Sequence, residues 1–132
     1  MTKILIIDDE PAVVDVLEKI LQRAGYNVAI AKDGTSGLKC QKDDPADIVV
    51  TDIMMPRVNG VQVIEALRRE HPQCRIIAIS GGGNFGPMGY KSEAITTSAY
   101  LAAAEKAGAD AILTKPFDRK ELLDTVRRLS PA

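Results

Sequence analysis

The sequence predicts an α/β fold, a doubly wound parallel sheet with helices on both of its faces. Short β-branched runs alternate with segments of helical period from Lys3 to Leu129, the pattern of repeated strand–helix–strand units. Several runs are almost wholly apolar, as strands covered on both sides must be. The whole chain is 132 residues, the size of one ordinary domain with one core.

The strands are predicted at KILII (3–7), NVAIA (27–31), DIVVT (47–51), RIIAI (75–79) and AILT (111–114). The first helix follows Asp9-Glu10, opens on Pro11, presents Val13, Val16, Leu17 and Ile20 to the core, and stops at Gly25. A short second helix runs through Thr35 to Lys42 and is ended by Asp44-Pro45. The third, Val61 to Glu70, is ended by His71-Pro72. The last opens with Asp118-x-x-Glu121, a capping-box arrangement, and buries Leu122, Val126 and Leu129. Between the fourth and fifth strands lies a Gly/Pro-rich run, Gly81 to Gly89, followed by an Ala-rich helix from about Ser92 to Ala107. Its residues Ala99, Ala102, Ala103 and Ala107 would let that helix lie close to the sheet. Residues 1–130 are read as a single domain with no output domain attached.

Composition excludes several classes of function. With 17 Lys and Arg against 18 Asp and Glu the net charge is −1, so no basic field drives nucleic-acid binding. No run approaches the roughly 20 apolar residues of a membrane span, and no signal-peptide pattern opens the chain, which points to a cytoplasmic protein without membrane insertion. Cys40 and Cys74 show no metal or disulfide spacing and are read as two buried thiols. His71 is the only histidine and reads as a solvated or locally bonded side chain. Glu65, Arg68, Arg69 and Glu70 read as a solvated helix face.

In an open α/β sheet, ligands bind beyond the carboxyl ends of the strands. Here those ends carry Asp8-Asp9, Asp52, Ser80 and Lys115-Pro116. Each alone has an ordinary reading as a cap, a strand end or a loop. Together they bring three carboxylates, a hydroxyl and an ammonium to one edge. Carboxylates gathered without a cation repel one another, and a divalent ion removes the conflict. An oxygen-only donor set favours Mg²⁺ over Zn²⁺. A metal, a lysine and a hydroxyl around one carboxylate form a phosphoryl-transfer site, with Asp52 best placed as nucleophile.

These residues, in this order, resemble the receiver domain of bacterial two-component response regulators over residues 3–129. The matching elements are IIDDEP (6–11), AKDG (31–34), DIVVTDIMMPRVNG (47–60), IIAIS (76–80) and AGADAILTKPF (107–117). The resemblance implies a five-stranded flavodoxin-like sheet of order 2-1-3-4-5. It implies that Asp52 accepts phosphate from a sensor histidine kinase or phosphotransfer protein, with output through a downstream protein or by onward phosphotransfer. It further implies that Asp9 and Asp52 bind Mg²⁺ with the Met54 backbone carbonyl, Asp8 acting largely through a bound water. Lys115 would contact the phosphate, set by a cis peptide to Pro116. Ser80 would bond a phosphate oxygen, and Gly81 would keep the entrance open to the phosphodonor.

The chain departs from the family pattern twice. Ile112 stands where most receivers carry Tyr or Phe, so the usual aromatic switch is missing. The connection after Ser80 exceeds the family's usual length by about a dozen residues, beyond ordinary βα loops, and reads as an extended β4–α4 loop serving as a partner surface or lid. Phe85, Tyr90 and Tyr100 are its aromatic residues. These departures motivate a second reading, a receiver-like adaptor that binds partners without phosphorylation. A third, a flavin- or nucleotide-binding enzyme, is prompted by SGGGNFG at 80–86. It fails on placement, because a dinucleotide fingerprint belongs to the first strand–helix turn. An acyl-phosphate hydrolase with its nucleophile ending the first strand fails too, since Asp9 is followed by Glu10-Pro11 instead of a second aspartate.

Overall fold

The computed structural model describes residues 2–53, 60–80, 102–114 and 117–131. The elements are β1 (Lys3–Ile7), α1 (Pro11–Arg23), β2 (Asn27–Ala31), α2 (Gly34–Asp43), β3 (Ile48–Asp52), α3 (Gly60–Glu70), β4 (Arg75–Ser80), a helical stretch α4 at 102–107, β5 (Ala111–Thr114) and α5 (Arg119–Leu129). The strands form one parallel sheet in the order β2-β1-β3-β4-β5. Register is continuous across it, with Ile4 beside both Val28 and Ile48, Val50 beside Ile77, and Ile79 beside Leu113. The predicted extended loop after β4 lies outside the described residues.

Strand alternation divides the core in two. Leu5, Ile7, Val49, Ile76 and Ala78 face one side, where α3 supplies Val63, Ile64 and Leu67 and α4 supplies Ala104. Ile4, Ile6, Ile48, Val50, Ile77 and Ile79 face the other, under Leu17 and Leu21 of α1 and Leu122 and Val126 of α5. Each such Val, Leu or Ile side chain, fully buried, contributes about 1.5–3 kcal/mol relative to exposure. That yield requires helices on both faces of the sheet.

The helix boundaries follow their expected chemistry. In α5, Asp118 Oδ1 accepts from the Glu121 amide at 2.7 Å while Glu121 Oε1 accepts from the Asp118 amide at 3.4 Å, completing the capping box. Asp33 caps α2 by accepting from the Ser36 amide at 2.7 Å. Gly25 ends α1 at φ 97°, a conformation that strains any residue with a Cβ. Strands three and four each extend to the functional residue that was expected just beyond them, because pairing continues to Asp52 and Ser80.

Three expectations about packing are corrected. Val16 is 54% exposed, and the buried residues of α1 are Leu17 and Leu21, flanked by the half-buried Val13, Val14 and Ile20. At 100° per residue, Val16 lies outside the arc centred on Leu17, whereas Leu21 lies inside it. In α4 it is Ala104 that is fully buried, while Ala102 is exposed and Ala103 and Ala107 are half-buried. Ala99 lies outside the described residues. Cys74 is buried as expected, but Cys40 is only partly so.

Far from a solvated face, Arg68 of α3 staples the amino end of the sheet. Its guanidinium donates to the Pro72 and Cys74 carbonyls, each at 3.0 Å, to the Gly108 carbonyl at 2.6 Å, and to Asp110 Oδ2 at 2.7 Å. Asp110 Oδ2 also accepts from the Ile76 amide at 2.8 Å, fixing the start of β4. One planar donor thus satisfies carbonyls from two separate connections. Arg68→Ala is expected to lower the unfolding free energy by about 2–3 kcal/mol, read from the urea midpoint. Arg68→Lys should restore only part of that, because an ammonium cannot span the same acceptors.

Burial pushes the Cys74 thiol up to about 11, the nearby Arg68 guanidinium opposing the shift. Its folded value exceeds the unfolded one of about 9, so the stability from keeping the thiol neutral is complete below about pH 9 and is lost as pH rises towards about 11. At pH 8 a thiol-alkylating reagent is expected to modify Cys40 readily and Cys74 only after denaturant is added, as peptide mass mapping would show.

Candidate functional site: an acidic cluster at the carboxyl edge of the sheet

Because all strands run the same way, β1 and β3 end side by side. Ile7 pairs with Thr51, so the next residues, Asp8 and Asp52, leave the sheet together. The backbone holds both ends in place: the Asp8 amide donates to the Ala31 carbonyl at 3.1 Å, and the Ile53 amide to the Ile79 carbonyl at 2.9 Å. Asp8 and Asp52 are only 2% and 3% exposed. Two buried carboxylates at one edge depart from the ordinary fate of charged side chains.

A third carboxylate joins them, and it is not the expected one. Oxygen atoms of Asp8, Glu10 and Asp52 all lie within 4.8 Å of one another. Asp9 is exposed and is not one of the three. The cause is local: Asp8 Oδ1 accepts from the Glu10 amide at 2.9 Å, an Asx-turn that folds the chain back over two residues. Pro11 then fixes Glu10 as the residue preceding α1, where its side chain makes no capping bond. An Asp two residues before a Glu-Pro helix start was the available signal for Glu10.

Ser80 closes β4 at 1% exposure, and its Oγ makes no hydrogen bond among the described residues. Its strand partner is Thr114, which immediately precedes Lys115. Lys115, Pro116, Met54 and Gly81 lie outside the described residues, as do Phe85, Tyr90 and Tyr100. Ile112 is half-buried and packs on the face shared with α3.

The donor set fits a hard divalent cation. Three carboxylates supply oxygen ligands only, two of them from buried positions, the chemistry by which Mg²⁺ is held in preference to softer metals. Among the described residues this cluster holds neither nitrogen nor sulfur donors, so a zinc site is a poor match.

The family model for the response regulator receiver domain matches residues 4–127. The chain belongs to that family. Among curated proteins it is 32% identical over 129 residues to the transcriptional regulatory protein CpxR of Escherichia coli (strain K12), spanning 98% of this chain and 49% of that one. It is 36% identical over 129 residues to the transcriptional regulator RpaA of Synechocystis, with the same shares of 98% and 49%. This receiver therefore spans about half the length of the curated relatives it matches. Among solved structures, the Vibrio cholerae chemotaxis protein CheY4 superposes at a TM-score of 0.80 with 26% identity, covering 98% of each chain. A putative response regulator from Chloroflexus aurantiacus superposes at 0.81 with 27% identity, covering 97% of this chain and 96% of that one. The five-stranded order 2-1-3-4-5 is the expected one. Among the described residues, no helix of this receiver is long and apolar enough to cross a membrane.

Carboxylates held within 4.8 Å of one another repel when ionised, a cost in stability that a polar but neutral replacement relieves. In the presence of a chelator, Asp52→Asn is expected to raise the unfolding free energy by about 1–2 kcal/mol. Differential scanning calorimetry checks the sign, and a lower melting temperature for the variant would contradict it.

Proposed function

We propose that this receiver is a phosphoacceptor signalling module, in which Asp52 takes a phosphoryl group from the phosphohistidine of a sensor histidine kinase or phosphotransfer protein. The observation that carries the reading is the convergence of buried Asp52 with Asp8 and Glu10 in a chain of this family. A carboxylate oxygen of Asp52 attacks phosphorus, the new P–O bond forms as the P–N bond to the donor imidazole breaks, and an acyl phosphate results. Bound Mg²⁺ would neutralise the oxygens of the transferring group. Asp8, Asp9, Glu10 and Asp52 are the side chains offered to it, with the Met54 carbonyl as the further ligand that the family resemblance implies.

Lys115 serves in this reading as the fixed cation on the phosphoryl oxygens, and Ser80 as the hydroxyl that bonds one of them. The buried Ser80 Oγ, without a hydrogen bond among the described residues, supports that role, since an orphaned buried hydroxyl is costly unless a further group completes it. The module would work in the cytoplasm, and its downstream target would be a protein, with neither nucleic acid nor membrane as a direct partner. In this scheme it is no enzyme in the ordinary sense, catalysing at most its own phosphorylation and dephosphorylation.

Ile112 keeps a second reading in play, that of an adaptor binding its partners without phosphorylation, because a half-buried aliphatic side chain cannot make the ring rotation that receivers use. One experiment separates the two. Incubation with a small acyl-phosphate donor and MgCl₂, followed by a phosphate-affinity gel, is expected to shift wild type and not Asp52→Ala, and chelator should abolish the shift. A shift that survives Asp52→Ala would move the site elsewhere, and no shift in wild type would favour the adaptor.

A further inference from the structure

Ile53 and Gly60, the described residues nearest each other across the connection after β3, are joined by a backbone hydrogen bond. Gly60, the first residue of α3, is buried, and its amide donates to the Ile53 carbonyl at 2.9 Å. A Cβ at this position would collide with the Asp52 carbonyl oxygen and the Ile53 Cα, and would stand 3.0 Å from the Asp52 carbonyl carbon. These are backbone atoms, and no side-chain rotation removes the clash. Nor can the peptide retreat, because on its far side the Ile53 amide is bonded to the Ile79 carbonyl at 2.9 Å and the Ile53 side chain is fully buried. The Asp52-Ile53 peptide is wedged between Gly60 and β4.

Gly25, Gly37 and Gly108 are not in this situation. Gly37 would meet only the Ile7 side chain, and Gly25 would meet nothing within 4 Å. Gly25 and Gly108 have the positive φ that explains a glycine by conformation, and Gly60 does not. The requirement at 60 is for empty space beside the backbone of Asp52.

We infer that Gly60 is a positioning residue: its missing side chain sets where the Asp52 carboxylate stands relative to Asp8 and Glu10, and hence both metal affinity and the geometry of phosphoryl attack. For its consequence in phosphorylation the inference rests on Asp52 being the phosphoacceptor; for its consequence in metal binding it rests only on the acidic cluster.

The test compares wild type, Gly60→Ala and Gly25→Ala, the last strained by its φ but remote from Asp52. Mg²⁺ affinity is read by titrating MgCl₂ into ¹⁵N-labelled protein, and phosphorylation rate by the small acyl-phosphate assay over a range of donor concentrations. A small displacement of a reacting group is expected to cost about tenfold or more in Gly60→Ala, in both Mg²⁺ affinity and maximal rate, with the half-saturating donor concentration changed by less than about threefold. Gly25→Ala should hold both quantities within about twofold of wild type despite a lower melting temperature, since its strain acts on stability alone. Wild-type values in Gly60→Ala, or equal losses in Gly25→Ala, would overturn the inference. If Gly60→Ala does not fold in plain buffer, the measurements are made in trimethylamine N-oxide, which favours the compact state without changing its covalent chemistry. Recovery of the circular dichroism signal alone supports the inference, and recovery of affinity and rate along with it sinks the idea. A wild type that binds Mg²⁺ without being phosphorylated would refute the phosphoacceptor reading, while the Mg²⁺ comparison would still decide the role of Gly60.

Discussion

Parallel pairing of strands is the constraint from which the rest of this molecule follows. A parallel strand must be reached by a crossover, the crossovers are helices, and the helices cover both faces of the sheet. What remains open is the pair of edges where strands begin and end. With β1 and β3 adjacent and running the same way, Asp8 and Asp52 emerge together, although they are 44 positions apart in the chain. No local interaction could bring them there.

The same constraint makes the carboxyl edge electrostatically demanding. Two buried carboxylates and a third close by are held at strand ends anchored by backbone hydrogen bonds to neighbouring strands. Such anchoring prevents the charges from relaxing apart, so the repulsion is available to favour any cation that binds between them. A site prepared in this way trades stability for function, a common bargain where chemistry needs fixed charge.

The amino edge is built on the opposite principle. There, polar side chains spend their hydrogen bonds on the backbone: Arg68 on three carbonyls, Asp110 on the Ile76 amide, and Gln41 on both the amide and the carbonyl of Ala46. Lys3 adds an ion pair to Asp44, and its amide donates to Asp47 Oδ2 at 2.9 Å. Charges at this edge are neutralised as they are introduced. The carboxyl edge differs in gathering three carboxylates within 4.8 Å of one another.

How much of this was legible beforehand follows from the range of the interactions involved. Strand and helix identities, the capping box at Asp118 and the stop at Gly25 were readable because they depend on neighbours a few residues away. The placing of Asp8, Asp52 and Ser80 at the carboxyl edge of the sheet was readable, because position at a strand end is itself a local property. The orientation of α1, which turned Val16 outward, depended on the arc of surface that the sheet covers. The exchange of Asp9 for Glu10 in the acidic cluster depended on one Asx-turn. The role of Arg68, which charge patterning assigned to solvent, depended on carbonyls up to 40 residues away. By itself, then, the sequence determined the family, the sheet and the strand ends at which acidic and hydroxyl groups would stand. Only tertiary structure decided which of those side chains meet and which glycine must stay bare, because distances between segments are set by packing, and packing has no local code.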